Sequence, residues 1–300
     1  MRLTLTRRSF SAMVGSLVAG SVIARPGFVL AAPSAGDDLA GKLVEVERRL
    51  GARFGAAILD TDSGRRWTHR ADERFPLCST FKAIACGAVL AKVDAGREDL
   101  ERRIRFEAGD VVTYSPVTQD RVGGEGITLA EICEAAMTRS DNTAGNIILD
   151  SLGGPAGVTE FARSLGDAVT RLDRRETDLN EATPGDPRDT TSPAAMVANL
   201  ESLVLGDTLS PPSRDRLTAW LVSNKTGDAK LRAGLPKDWR IGDKTGGGDY
   251  GTMNDVAVIW PPGRKPVIVS IYMTETKASF DDRNAAIAEI GRALKTTLGA

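Results

Sequence analysis

The sequence predicts a two-lobe α/β (α+β) fold, with sheet and helix supplied by both ends of the chain and an all-α lobe inserted between them. Three observations carry this. A helix and then two strand-like segments split by a turn open the mature chain, three more strands and a helix close it, and the middle reads as helix and irregular loop.

In chain order, about the first 32 residues lie outside the fold. Thr6-Arg7-Arg8-Ser9-Phe10 is basic, Ser11–Ala24 carries no charge, and small residues follow around Ala31-Ala32-Pro33-Ser34-Ala35. That order reads as an export signal, and the arginine pair followed by Phe10 resembles the twin-arginine type. The apolar run is shorter than the roughly 20 residues of a spanning helix, so no membrane span is expected after processing. Asp37–Leu50 is amphipathic, with Leu39, Leu43, Val46 and Leu50 on one face. Arg53–Asp60 and Gly64–Arg70 are strand-like, joined through Thr61-Asp62-Ser63-Gly64. Ser79–Val93 is apolar nearly all round, hence a buried helix. Thr128 and Glu131 form a capping box, Asn142–Leu152 stops at Gly153-Gly154, and Pro155 and Pro193 each occupy a first helical position. Trp239–Asp243, Asp255–Trp260 and Pro266–Met273 read as strands before a last helix at about Asp281–Leu298. The lobes are then residues 37–72 with 222–300, and residues 73–221. Arg171–Asp189 resists assignment; opposite charges at Arg174 and Asp189 favour a closed, pinned loop, and loops this long tend to be functional.

Composition narrows the chemistry. With 39 basic and 40 acidic side chains the formal charge is −1, which gives no reason to expect a nucleic-acid or polybasic membrane partner. One histidine, His69, and three cysteines exclude a His-rich metal site and leave proton transfer to carboxylates and lysines. In an oxidising compartment, Cys78, Cys86 and Cys133 suggest one bridge and one free thiol, with all three pairings open.

Ser79-Thr80-Phe81-Lys82 stacks a hydroxyl and an amine one helical turn apart. The amine lies in an otherwise apolar helix, where its pKa can fall, and the hydroxyl sits at the helix start beside unpaired N–H groups. Ser140-Asp141-Asn142 and Lys244-Thr245-Gly246 follow in order. Singly each tripeptide is common; together they are a signature of penicillin-recognising serine enzymes. The chain resembles the class A serine β-lactamases over essentially its whole mature length. Tyr114-Ser115-Pro116 resembles their active-site edge loop, and Arg171 to Asp189, with Glu176 and Asn180, their Ω-loop.

The resemblance implies an antiparallel five-stranded sheet flanked by terminal helices, an all-α lobe, and the active site between them. It implies an exported, monomeric enzyme that hydrolyses penicillins and cephalosporins without a cofactor or metal. Ser79 would be the nucleophile, with Lys82 and Ser140 as proton shuttle, and Glu176 with Asn180 would activate water. Backbone N–H groups of Ser79 and Gly247 would form the oxyanion hole. Asn142 would hold the substrate's amide side chain, Lys244, Thr245 and Gly246 the carboxylate end, and Tyr114 the entrance. Cys86 and Cys133 match positions that pair in some members, which leaves Cys78 as a buried free thiol.

Departures from the family pattern sharpen the expectations. Thr177 stands where many members have proline after the loop glutamate, and the Glu176–Thr177 bond is expected to be cis. Met253 and Asn284 occupy positions that supply an arginine elsewhere, so Lys230 is expected to substitute as a point charge. Two rivals share the three motifs: a penicillin-binding DD-peptidase and a non-catalytic β-lactam sensor. The segment from Glu176 to Asn180 argues against both, because slow deacylation goes with the absence of such a base.

Overall fold

Residues 38–299 are described by a computed structural model, so the expected export signal lies outside the described residues. Helix α1 (Asp38–Leu50) turns Leu39, Leu43 and Val46 inward. Strands β1 (Arg53–Asp60) and β2 (Arg66–His69) form a hairpin, followed by the short β3 (Phe75–Pro76). The helical part comprises α2 (Phe81–Asp94), a small ribbon of β4 (Arg103–Ile104) and β5 (Ile127–Thr128), then α3 (Leu129–Thr138), α4 (Asn142–Leu152) and α5 (Pro155–Ser164). After β6 (Thr190–Thr191) come α6 (Pro193–Leu200), α7 (Pro211–Val222) and the single turn α8 (Leu231–Gly234). Strands β7 (Arg240–Gly247), β8 (Met253–Trp260) and β9 (Val267–Thr274) lead to α9 (Phe280–Thr297).

The five long strands form one sheet in the order β2-β1-β9-β8-β7, every neighbouring pair antiparallel, as expected. β1 and β9 pair from Arg53↔Thr274 to Asp60↔Val267, so the two ends of the chain knit the centre of the sheet. Both faces are covered. Phe54, Ala56, Ile58, Val269 and Ile271 pack with Leu43 of α1 and Ile287 of α9, while Leu59, Val256, Ile268 and Tyr272 belong to a second core with α2 and α6. Burial on both faces explains why these strands read as continuous apolar runs rather than alternating ones.

Boundaries moved where local geometry overrode periodicity. Ser79 lies in a 3-10 turn, Cys78–Thr80, ahead of α2. β2 shrinks to four residues between Gly64 at φ +75° and Arg70 at φ 45°. β7 starts at Arg240 and runs on to Gly247, because its pairing with β8 continues to Met253. The Thr128–Glu131 capping box forms, and Pro155 and Pro193 open their helices.

The loop 171–189 is closed by Arg174, whose Nε sits 2.6 Å from Asp189, and Asp189 also accepts from the backbone N–H groups of Asp173 and Arg174. Its interior holds one 3-10 turn, Asp178–Asn180, anchored by buried Leu179, and the Glu176–Thr177 bond is cis as expected. The Cys86–Cys133 bridge is not formed, which corrects that expectation for this structure. All three cysteines are buried free thiols; the Cys86 Sγ points at the Cys133 carbonyl oxygen, 3.9 Å away, rather than into a bond.

Candidate active site

The three motifs and the pinned loop converge at the end of β7. Asn254 on β8 donates to the carbonyls of Pro76 and Leu77, which fixes the turn carrying Ser79 against the sheet. Asp141 caps α4 by accepting from Ala144 N–H and also takes the N–H groups of Val117 and Thr118. One carboxylate thereby positions Ser140, Asn142 and the Tyr114 loop together. Asn146 on α4 binds both backbone groups of Glu176, donating to its carbonyl and accepting its N–H, each at 2.9 Å.

Lys82 is wholly buried at the centre. Its Nζ donates to Ser79 Oγ at 2.9 Å, the Ser140 carbonyl at 2.9 Å and Asn142 Oδ1 at 2.8 Å, and lies 2.9 Å from Glu176 Oε1. Ser79 Oγ donates to the same Glu176 oxygen at 3.1 Å. The other Glu176 oxygen accepts from Asn180 Nδ2 at 2.5 Å. A buried ammonium and carboxylate are costly singly, and here each has its partner and further hydrogen bonds. On the far side, Lys244 Nζ donates to Ser140 Oγ at 2.9 Å and to the Thr245 carbonyl at 2.8 Å. Burial, and next the Lys82 charge, push the Lys244 ammonium down to about 7.

These groups surround a cavity of about 470 Å³. Ser79, Ser140, Asn142, Asn180 and the strand edge Thr245-Gly246-Gly247 line it, and Tyr114, at φ 63° and half exposed, stands at one rim. Lys230 lines the same cavity and is buried rather than solvated, its Nζ 3.4 Å from the Thr226 carbonyl. Every catalytic and substrate-binding residue expected from the sequence therefore lies in this cluster, whereas Cys86 and Cys133 do not line it. Gly248 is a fixed requirement of the packing, since a Cβ there would lie 2.5 Å from the Asn180 carbonyl oxygen. Sequence reasoning missed Asn146, Thr226, Phe280 and Arg283. Thr226 bonds Thr245 at 2.5 Å, and the other two line the cavity. Only Asn146 carried a signal, one helical turn beyond Asn142.

His69 lies elsewhere, on β2, with Nε2 2.9 Å from Glu47.

Comparison with known proteins agrees with this geometry. The model of the β-lactamase enzyme family matches residues 38–298. β-Lactamase AST-1 of Nocardia asteroides is 52% identical over 86% of this chain and 83% of its own length. β-Lactamase AER-1 of Aeromonas hydrophila is 46% identical over 97% of this chain and 96% of its own. Among solved structures, an ancestral class A β-lactamase superposes with a TM-score of 0.85 at 61% identity, covering 86% of this chain and 99% of that one. The putative class A enzyme PenP from Rhodopseudomonas palustris gives 0.85 at 55% identity, covering 87% and 99%. Motifs, fold and relatives coincide over the whole described chain, and the protein belongs to the β-lactamase enzyme family, class A.

Proposed function

We propose that the protein hydrolyses the β-lactam amide of penicillins and cephalosporins through an ester on Ser79, and that the residues of the cavity divide the work as follows. Ser79 Oγ attacks the lactam carbonyl carbon, its proton passing to Glu176 or Lys82, both within reach. The oxyanion forms against the backbone N–H groups of Ser79 and Gly247. As the C–N bond breaks, the ring nitrogen takes the proton of Ser140 Oγ, which accepts from Lys244. The proton removed from Ser79 passes by way of Lys82 to Ser140, so that Ser140 is a hydroxyl and Glu176 a carboxylate again before deacylation. Water held by Glu176 and Asn180 then gives a proton to Glu176 and attacks the ester, and Ser79 leaves with its proton restored. Lys244, Thr245 and Gly246 receive the ring carboxylate, assisted by Lys230, and Asn142 takes the acylamino side chain. Tyr114 walls the entrance. Residues 37–72 with 222–300, and 73–221, act as the two lobes between which this happens.

The observation that carries the reading is the placement of Glu176. One oxygen touches both Ser79 and Lys82, the other is held by Asn180, and the backbone on either side is clamped by Asn146. A DD-peptidase or a sensor has no use for a second base so placed. Nitrocefin turnover by the purified protein, beside Glu176→Ala, is the test. We expect sustained turnover from the native protein and, in the variant, a kcat at least about a hundred-fold lower with accumulated acyl-enzyme seen by mass spectrometry. A stoichiometric burst from the native protein would reject hydrolysis.

The reading extends to the compartment. No helix among the described residues is long and apolar enough to cross a membrane. The twin-arginine-like leader supports export of a folded monomer to the periplasm or medium.

A further inference from the structure

The carboxylate end of the cavity holds more positive charge than one ring carboxylate uses. Phe280, the first residue of α9, is 62% exposed and stands at this rim. Two cations stand near its ring: Lys230 Nζ is 5.6 Å and Arg283 Cζ 5.8 Å from the ring centroid. The two cations are not equivalent. Lys230 is buried, and burial pulls its ammonium down on balance, while Asp255 and Asp243, on β8 and β7, push the other way and Arg283 adds to the lowering. Arg283 has no such support. Its Nε donates to the Ser279 carbonyl at 3.3 Å, and among the described residues it forms no ion pair. Of the neighbouring acids, the Asp282 carboxylate accepts from the Ser279 hydroxyl, whose oxygen in turn accepts the Asp282 N–H, and Asp281 is exposed. Burial alone shifts the Arg283 guanidinium, and it shifts it down, as for a cation that has lost water without gaining a carboxylate.

We propose that Arg283, Phe280 and Lys230 form a subsite for a flat anionic group carried on the ring carbon next to the ring carboxylate. Among cephalosporins the enzyme therefore favours those with an anionic C3 substituent. The inference rests on the placement of the ring carboxylate at Lys244 and Thr245 proposed above. On the six-membered ring of a cephalosporin, C3 is bonded to the carbon that bears that carboxylate. A substituent there leaves the site on the carboxylate side, where Phe280 offers an aromatic face and Arg283 a guanidinium with free N–H groups. The fused five-membered ring of penicillins carries only methyl groups at that point and cannot use the subsite.

Two cephalosporins with the same mandelamido side chain test this. One bears a methyltetrazolylthiomethyl group at C3, and the other its sulfomethyl analogue, which adds one negative charge. The readout is the anionic-to-neutral ratio of kcat/KM in the native protein and in Arg283→Gln and Arg283→Lys. Intrinsic reactivity differences between the probes are common to all three proteins and cancel. We expect the ratio to fall about three- to five-fold in Arg283→Gln and to be largely kept in Arg283→Lys. An unchanged ratio in Arg283→Gln, with both probes turned over, overturns the subsite alone. Failure of the native protein to hydrolyse the neutral probe overturns the underlying carboxylate placement as well.

Discussion

Lys244 shows how one buried side chain sets a pH limit. Its ammonium is pushed to about 7, so on the acidic side it is a cation and on the alkaline side increasingly a neutral amine. A substrate carboxylate favours the cation, and by linkage substrate affinity must weaken as pH rises through that value. Because kcat/KM reports the free enzyme, it should fall several-fold for benzylpenicillin between about pH 7 and pH 9, through a rising KM. Lys244→Arg, whose guanidinium stays charged, should flatten this alkaline limb. A KM that is constant across the range would show that the free enzyme keeps Lys244 protonated. The residues bearing the bond-breaking chemistry were legible in the sequence because spacing along one helix, or within one tripeptide, fixes their relative position. Arg283 and Phe280 were not, because only the packing of α9 against α8 brings them to Lys230, the residue that opens α8.

Elements were legible where periodicity or end chemistry was strong. Leu39, Leu43 and Val46 predicted α1, the capping box predicted α3, and proline at the first position predicted α5 and α6. What the sequence lacked was the tertiary partner that decides where a strand stops, as for β2 and β7. The loop 171–189 was legible as pinned, through Arg174 and Asp189, but its clamp from Asn146 was not. The solitary histidine acquires its meaning at this scale too. Glu47 of α1 accepts from Arg70, from the backbone N–H of Phe54 and, at 2.9 Å, meets His69, so one carboxylate ties α1 to the β1–β2 hairpin. The Arg70 hydrogen bonds, supported by His69, hold the Glu47 carboxyl at about 2, below its ordinary 4.5. A depressed carboxylate contributes stability that is fully present above about pH 4.5 and lost as pH falls through about 2. After allowance for partial exposure, the tie is worth about 1–2 kcal/mol, or about 3–6 °C in Tm for a chain of this size. Glu47→Gln should show that loss in thermal melts at pH 7 and a narrowing difference toward pH 2, with kcat unaffected. Equal Tm values at pH 7 would remove the clamp from the account of stability.

The whole molecule opposes its own site electrostatically. The first 32 residues contain four arginines and no acid, so the chain without them has 35 basic and 40 acidic side chains and a formal charge of −5. Yet the cavity that receives an anionic substrate is edged by Lys244, Lys230 and Arg283. The two influences differ in range. The global charge is spread over a body about 20 Å in radius, whereas the local cations act at contact distance on the bound carboxylate. Raising salt from 10 to 150 mM shortens the screening length from about 30 to about 8 Å, which removes repulsion from the body while leaving contact pairs largely intact. For a charge of −5 on such a sphere, the repulsion of a monoanion drops by about 0.3 kcal/mol over this range. The second-order rate constant for benzylpenicillin should accordingly rise by about 1.5- to 2-fold between 10 and 150 mM salt. It should turn down only near 1 M, where the screening length reaches about 3 Å and the contact cations are themselves screened. A steady fall from the lowest salt onward would mean that the positive rim, rather than the acidic body, dominates the field an approaching substrate feels.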